Sequence, residues 1–227
     1  MGGSGAGIHE IGVSQSEEAN RMQLHSAHST SANLEFWAKS RLLIARRLLL
    51  RAAAGELFRR YERMSVLPAT ARLLAYDEHR LYADCEPRER ELELGKVQNL
   101  RIAAATINGI VLQPSDTFSF WRAVGRPSRR NGYVAGRELR SGCMIPSVGG
   151  GICQLTNALS RVAHAAGMEI VERHSHTLHP PGFFIDSTTD ATVFWNYVDL
   201  RFRSRTCVRI GAQLTETTLA VRLDAVP

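Results

Sequence analysis

The run Gly149-Gly150-Gly151-Ile152-Cys153-Gln154 constrains this chain more than any other segment. Three consecutive glycines permit positive φ and close approach of one backbone to another, and they weaken any helix or strand interior. They therefore mark a tight turn. Directly after them Ile152, Leu155, Leu159, Val162, Ala163 and Ala166 recur at helical spacing, up to a natural C-terminal stop at Gly167. The chain must turn sharply and enter an amphipathic helix whose first turn carries Cys153. Unpaired N–H groups and the helix dipole at that end favour an anion. A thiolate is an anion, so the location favours the nucleophilic form of a cysteine. The same N–H groups suit an oxyanion developing on a substrate carbonyl, and Gln154 adds a side-chain donor.

A nucleophilic thiol wants a base. His174 and His176 follow about twenty residues later, one residue apart, in a segment that alternates like a strand. Positions i and i+2 of a strand share a face. One imidazole can face Cys153 while the other shapes the pocket, with Asp190 or Asp186 to orient the ring. Two further readings stand beside this one. The glycine turn (Gly149, Gly150, Gly151), with Gln154 and Arg173, is a candidate for holding an anionic ligand such as a carboxylate without catalysis. His174 and His176 form a His-x-His pair to which His179, Asp190 or Cys153 would add a third metal ligand. The bland alternatives are a buried, inert cysteine and a glycine turn that serves packing alone. The residues imply no organic cofactor. Cys143, ten residues before Cys153, is a candidate for a reversible disulfide with it. Cys207 falls in an expected strand, and Cys85 falls in a charged connector.

Charge separates the chain into parts. Of 28 basic residues only Lys39 and Lys96 are lysine, and the formal charge is +6. Eight basic residues and three acids lie between Leu34 and Arg63, so nearly all of the excess sits there. The remainder is close to neutral and lacks the broad basic face of a nucleic-acid binder. Residues 1–32, rich in Gly, Ser, His and Gln, read as a disordered tail. Residues 33–95 read as a basic helical segment and connector, and residues 96–227 as the main domain. Leu43, Leu50 and Leu57 recur every seven in the basic segment, which reads as helix from Leu34 to Met64. Two roles are open for it: adsorption through residues 34–64 to an anionic membrane surface, or packing on the body with a solvated basic face. Arg46, Arg47 and Arg51 interrupt its apolar run, so it cannot span a bilayer. No secretory signal pattern precedes it. The expected compartment is the cytoplasm, or its face of the membrane, with reduced thiols.

The remaining pattern predicts a helix over 69–82, a helix from Val97 to Ile107 ended by Asn108-Gly109, and strands at 110–112 and 117–121. A loop-dominated stretch is expected over 124–141. Strands are expected at 169–176, 191–195, 199–203, 207–214 and 217–223. Phe183, Phe184 and Ile185 are expected to be buried near a turn. The fold class is α+β: a mainly antiparallel sheet, a Gly-rich turn leading into a central helix, and an N-terminal helical segment before them.

Several motifs occur in one order: Asn99-Leu100-Arg101, Asn108-Gly109, Pro114, Phe118-Ser119-Phe120, Val124-Gly125, Gly132-Tyr133, Gly149 to Gln154, Glu172-Arg173-His174, His176 and Asp190-Ala191-Thr192-Val193. Over roughly Val97 to Arg203 this order closely resembles the VanW family. Three departures stand out: Ser115 and Trp121 replace a usual Gly and Asn, and Thr188-Thr189 stands where a Gly is usual. None touches Cys153, His176 or Asp190. The resemblance implies an association with the bacterial cell envelope or glycopeptide resistance, with a cell-envelope precursor or peptide as ligand. It supplies no reaction.

Overall fold

The computed structural model describes residues 30–53, 55, 60–82, 87–140, 143–176, 188–195 and 197–227. The chain divides into two compact units, Met1–Ala45 and Arg46–Pro227. Of the expected tail over 1–32, residues 1–29 lie outside the described residues, as does the trio Phe183, Phe184 and Ile185, while residues 30–32 lie in the first helix. Among the described residues, four α-helices and three antiparallel sheets give the α+β class expected.

The largest sheet takes the order β1(Glu62–Arg63), β3(Ile110–Leu112), β9(Val208–Leu214), β10(Thr218–Ala225), β2(Arg72–Arg80). Strand alternation explains its buried face: Val208, Ile210 and Ala212 of β9 and Leu219, Val221 and Leu223 of β10 are all buried. A second sheet runs β4(Thr117–Ser119), β8(Arg201–Arg203), β7(Glu169–Glu172), and β5(Ala135–Arg140) pairs with β6(Cys143–Val148).

Four helices complete the fold. α1(Thr30–Ala53) precedes the sheets. α2(Arg90–Ile107) buries Val97, Leu100, Ala103, Ala104 and Ile107 and packs against β5 and β9. α3(Phe120–Val124) is a short turn of helix, with the Ser119 hydroxyl accepting from the Arg122 N–H as its cap. α4(Cys153–Ala165) buries Leu155, Leu159, Val162 and Ala163 against β2, β7 and β10. It ends where expected, with Gly167 at φ +66°.

Several local expectations are overturned. Residues 69–82, rich in Arg, Leu and Ala, form β2 rather than a helix. Eight residues of β10 pair with this segment, and Arg161 of α4 donates through Nε (3.1 Å) and Nη2 (2.9 Å) to Asp77. Tertiary pairing overrides helix propensity there. The first helix, Thr30–Ala53, does not continue to Met64: Gly55 sits in a turn at φ +67° with its N–H donating to the Ala52 carbonyl (3.0 Å), and Glu62 and Arg63 pair with Val111 and Ile110. The Gly- and Arg-rich stretch 124–141 contains β5, which pairs with an unforeseen β6. The segment 191–195 makes only single bridges, His174 to Thr192 and Phe194 to Val198.

On α1 the leucines do not fill a core. Leu42 and Leu49 are 70% and 72% exposed, and Leu43, Leu48 and Leu50 are exposed as well. Arg47 makes an ion pair with Glu172 at the end of β7.

One turn carries strain. Asp116 N–H donates to the Gln113 carbonyl (2.9 Å) across Pro114-Ser115, and Ser115 has φ +72°. Pro followed by positive φ is the signature of a type II turn, which favours Gly at the second central position. Ser115 occupies the position where the resemblance leads one to expect Gly. The left-handed conformation costs an L-residue about 1–2 kcal/mol, and Gly loses part of that in chain entropy. Ser115→Gly is therefore expected to stabilise the fold by roughly 0.5–1 kcal/mol. A thermal melt would read this as a rise of roughly 2 °C; an unchanged or lower midpoint would count against the assignment of strain.

Candidate active site

The glycine turn is shaped by what lies against it. Gly149 N–H donates to the Val134 carbonyl (3.1 Å) and Gly150 N–H to the Ser147 carbonyl (2.9 Å). A Cβ on Gly150 would stand 2.3 Å from the Gly136 carbonyl oxygen, and one on Gly136 would stand 2.5 Å from the Gly150 oxygen. Two backbones therefore touch where only glycine fits. Gly149 is likewise closed off by Pro127, and Gly151 by the Lys96 side chain. Asn99, wholly buried in α2, locks the contact. Its Nδ2 donates to the carbonyls of Val134 and Gly150, both at 3.0 Å, and its Oδ1 accepts from the Val134 N–H at 2.9 Å. Beside it, buried Glu93 takes hydrogen bonds from Lys96 (2.5 Å) and Arg137 (3.2 Å).

From this anchored turn α4 begins at Cys153, a free thiol of intermediate exposure. It lies close enough to His176 to be the main influence on that imidazole's protonation. His176 is held from the other side. Asp190 Oδ1 lies 2.8 Å from its Nδ1, and Asp190 Oδ2 accepts its backbone N–H at 2.6 Å. With Nδ1 turned to the carboxylate, Nε2 is the nitrogen left for the sulfur. Asp190 is itself buried. Arg173 Nη1 donates to the Asp190 carbonyl at 2.6 Å, and Asn157 Oδ1 accepts from the Ala191 N–H at 2.6 Å. Sequence-distant residues 153, 176 and 190 thus form one contact chain, thiol to imidazole to carboxylate.

The electrostatics follow from these partners. The hydrogen bond to Cys153 is the largest influence on His176, and its pKa is pushed up to about 9. Burial works against the imidazolium, while the charges of Cys153 and Asp190 and the Asp190 hydrogen bond support it. At neutral pH the ring is therefore an imidazolium beside sulfur.

The other candidates sit elsewhere. β7 ends at Glu172, so His174 and His176 do not share a strand face. His174, with its side chain half exposed, turns to Glu172 at 3.4 Å. Gln154 is committed to the scaffold, donating through Nε2 to the Arg80 carbonyl at 2.7 Å. Arg173 serves as a backbone brace, as above. Among the described residues no group of three metal-ligating side chains occurs; His179, Asp186 and the Cys143 side chain lie outside those described. Also among the described residues, the N–H groups of Gly151, Ile152 and Cys153 have no hydrogen-bond acceptor, whereas those of Gln154 and Leu155 are paired within the turn.

Thr192 is a residue that sequence reasoning passed over. Its Oγ1 lies 3.8 Å from the Cys153 sulfur. Its hydroxyl carries no signature of spacing or charge, and only the bridge to His174 brings it there. Trp121 gains a role too. Its ring meets Trp195 edge-on at 5.3 Å, its indole N–H donates to the Val198 carbonyl at 2.8 Å, and its backbone N–H donates to Asp199, which also accepts from Ser119 Oγ at 2.6 Å.

Residues 95–223, more than half of the chain, match the family model for VanW like protein, and the chain belongs to that family. The uncharacterized protein YoaR of Bacillus subtilis (strain 168) is 37% identical over 107 residues, covering 47% of this chain and 35% of YoaR. The vancomycin B-type resistance protein VanW of Enterococcus faecalis (strain ATCC 700802 / V583) is 34% identical over 114 residues, covering 49% of this chain and 42% of that protein. The chain thus spans less than half the length of these curated relatives. No solved structure matches it significantly.

The His176 geometry has a measurable consequence. A folded-state pKa of about 9, above the ordinary value of 6.5, makes the bound proton stabilising. That contribution is complete below about pH 6.5 and is lost as pH rises through about 9. Denaturant unfolding across this window should show stability falling with pH, and His176→Gln should flatten the slope. An equally steep slope in the variant would sink the assignment.

Proposed function

We propose that this protein is a cysteine-dependent acyl-transfer or hydrolytic enzyme acting on a peptide or amide group of a bacterial cell-envelope precursor. The chain of contacts from Cys153 through His176 to Asp190 carries the reading. The link to the envelope and to glycopeptide resistance rests on family membership and on the name of the Enterococcus relative.

In this reading the Cys153 thiolate attacks the carbonyl carbon of the scissile amide, and the C=O electron pair moves onto oxygen. That oxyanion meets the free N–H groups at the start of α4. The His176 imidazolium gives its Nε2 proton to the amide nitrogen, and the C–N bond breaks to leave an S-acyl enzyme and a free amine. Water or an acceptor amine then attacks the thioester carbonyl while neutral His176 takes its proton. The C–S bond breaks, and the thiolate–imidazolium pair is restored. Asp190 holds the Nδ1–H and thereby the ring orientation, as in other thiol and serine triads.

Two observations favour this over the alternatives. The Cβ positions of the three glycines are closed by Pro127, Gly136 and Lys96, so close packing accounts for the glycines without a bound carboxylate. His174 points to Glu172, away from a shared ligand set with His176. A peptide vinyl sulfone, which traps a nucleophilic thiol, tests the reading. Labelling is expected at Cys153 in the wild type and to vanish in Cys153→Ala. His176→Ala should slow it by about 100-fold or more. Equal rates in wild type and His176→Ala would overturn it.

The exposed leucines of α1 support a peripheral position on an anionic membrane. Leu42, Leu43, Leu49 and Leu50 lie exposed together with Lys39 and Arg46, which fits insertion of apolar side chains beneath anionic headgroups. Among the described residues no helix is long and apolar enough to cross a membrane. Co-sedimentation with phosphatidylglycerol-containing vesicles is expected, weaker with pure phosphatidylcholine. Replacing Leu49 and Leu50 together by Asp should cut binding by about tenfold or more. Equal partitioning of the variant would refute the role of the leucines.

A further inference from the structure

We propose that Thr192 is a catalytic residue of this site: its hydroxyl donates a hydrogen bond to the Cys153 thiolate and holds the sulfur in line with His176. The proposal rests on the reading of Cys153 as a nucleophile and adds a fourth member to it.

A thiol has one hydrogen and a thiolate has none. His176 Nδ1 faces Asp190, which leaves Nε2 as the ring nitrogen for the sulfur. The Thr192 Oγ1–Sγ distance of 3.8 Å is that of a hydrogen bond to sulfur. In the thiolate form that the proposed attack requires, the sulfur only accepts, so there the Thr192 hydroxyl is the donor. The sulfur is then held from two sides, by the imidazolium and by a neutral hydroxyl.

The hydroxyl is prepared for this task by the scaffold. Thr192 N–H donates to the His174 carbonyl at 2.8 Å, which ties it to the strand that leads to His176. The preceding residue is pinned to α4 at both ends of its peptide. Asn157 Oδ1 accepts from the Ala191 N–H at 2.6 Å, and the Ala191 carbonyl accepts from Thr156 Oγ1. Both anchors lie on the first turns of the helix that Cys153 opens. Thr192 therefore keeps its place relative to Cys153 through α4 and relative to His176 through the bridge. Its β-branched side chain limits χ1, so little freedom is lost when the hydroxyl is aimed. Neighbouring Ala191 is fully buried and cannot substitute as a donor.

A pH–rate profile of Cys153 alkylation by iodoacetamide tests this. Thr192→Val keeps the shape and removes the donor. It is expected to alkylate about tenfold more slowly at neutral pH, the loss of one hydrogen bond to a charged sulfur, with the midpoint of its profile moved to higher pH. Thr192→Ser restores the donor and should lie within about threefold of wild type. Should the valine variant melt well below wild type, the pair Thr192→Ser and Thr192→Ala repeats the comparison without the added methyl. A profile for Thr192→Val or Thr192→Ala that superimposes on wild type, while His176→Gln still abolishes the enhanced reactivity, would overturn the role of Thr192 alone. A wild-type Cys153 no faster than a free cysteine, and indifferent to His176→Gln, would overturn the nucleophile and this proposal with it.

Discussion

The contact between Gly136 and Gly150 is the constraint on which the rest of the site depends. Two backbones meet there at a distance that any Cβ would violate. Asn99 closes the contact by spending its buried amide on Val134 and Gly150. Because β5, the turn and α2 are joined at this point, the direction in which α4 leaves the turn is set, and Cys153 is presented at its start. Buried amide hydrogen bonds of this kind are costly to leave half-made, so the arrangement is all-or-none in character.

A second buried group does the corresponding work for the imidazole. Asp190 accepts both the backbone N–H and the Nδ1–H of His176, which fixes the ring's position and leaves Nε2 for the sulfur. The segment after Asp190 is then returned to α4 by Asn157 and Thr156. The helix that carries the sulfur thus also holds the carboxylate segment. Thiol, imidazole and carboxylate come from three separate places in the chain, yet each is referred to the same first turns of α4.

Glu172 shows how the surroundings were distributed. It faces Arg47, His174 and the Asp199 N–H at once, and so takes His174 out of the thiol's environment. Alternation along a strand had made the two histidines equivalent. The end of β7 at Glu172 removed that equivalence, since beyond it the backbone no longer keeps a period of two.

Much of this was legible in the residues. A glycine run before a helical period, a cysteine at the helix start and a later His and Asp are local patterns, and local backbone preference is enough to write them. The α+β class and the C-terminal strands follow from periodicity in the same way. Other features were not legible. The segment 72–80 carries helix-forming residues and became a strand because β10 supplied eight partners. The glycine run was compatible with ligand approach, and only the fold showed Pro127, Gly136 and Lys96 packed where glycine side chains would stand. Thr192 stood only as one letter of a family motif and Asn157 gave no signal, because a hydroxyl or an amide acquires a role only from what is placed opposite it. By itself the sequence determined which side chains were chemically able to act and where the chain must turn. Tertiary structure alone decided which of them meet, because pairing between distant strands and the burial of Asn99 and Asp190 are long-range events that no local period encodes.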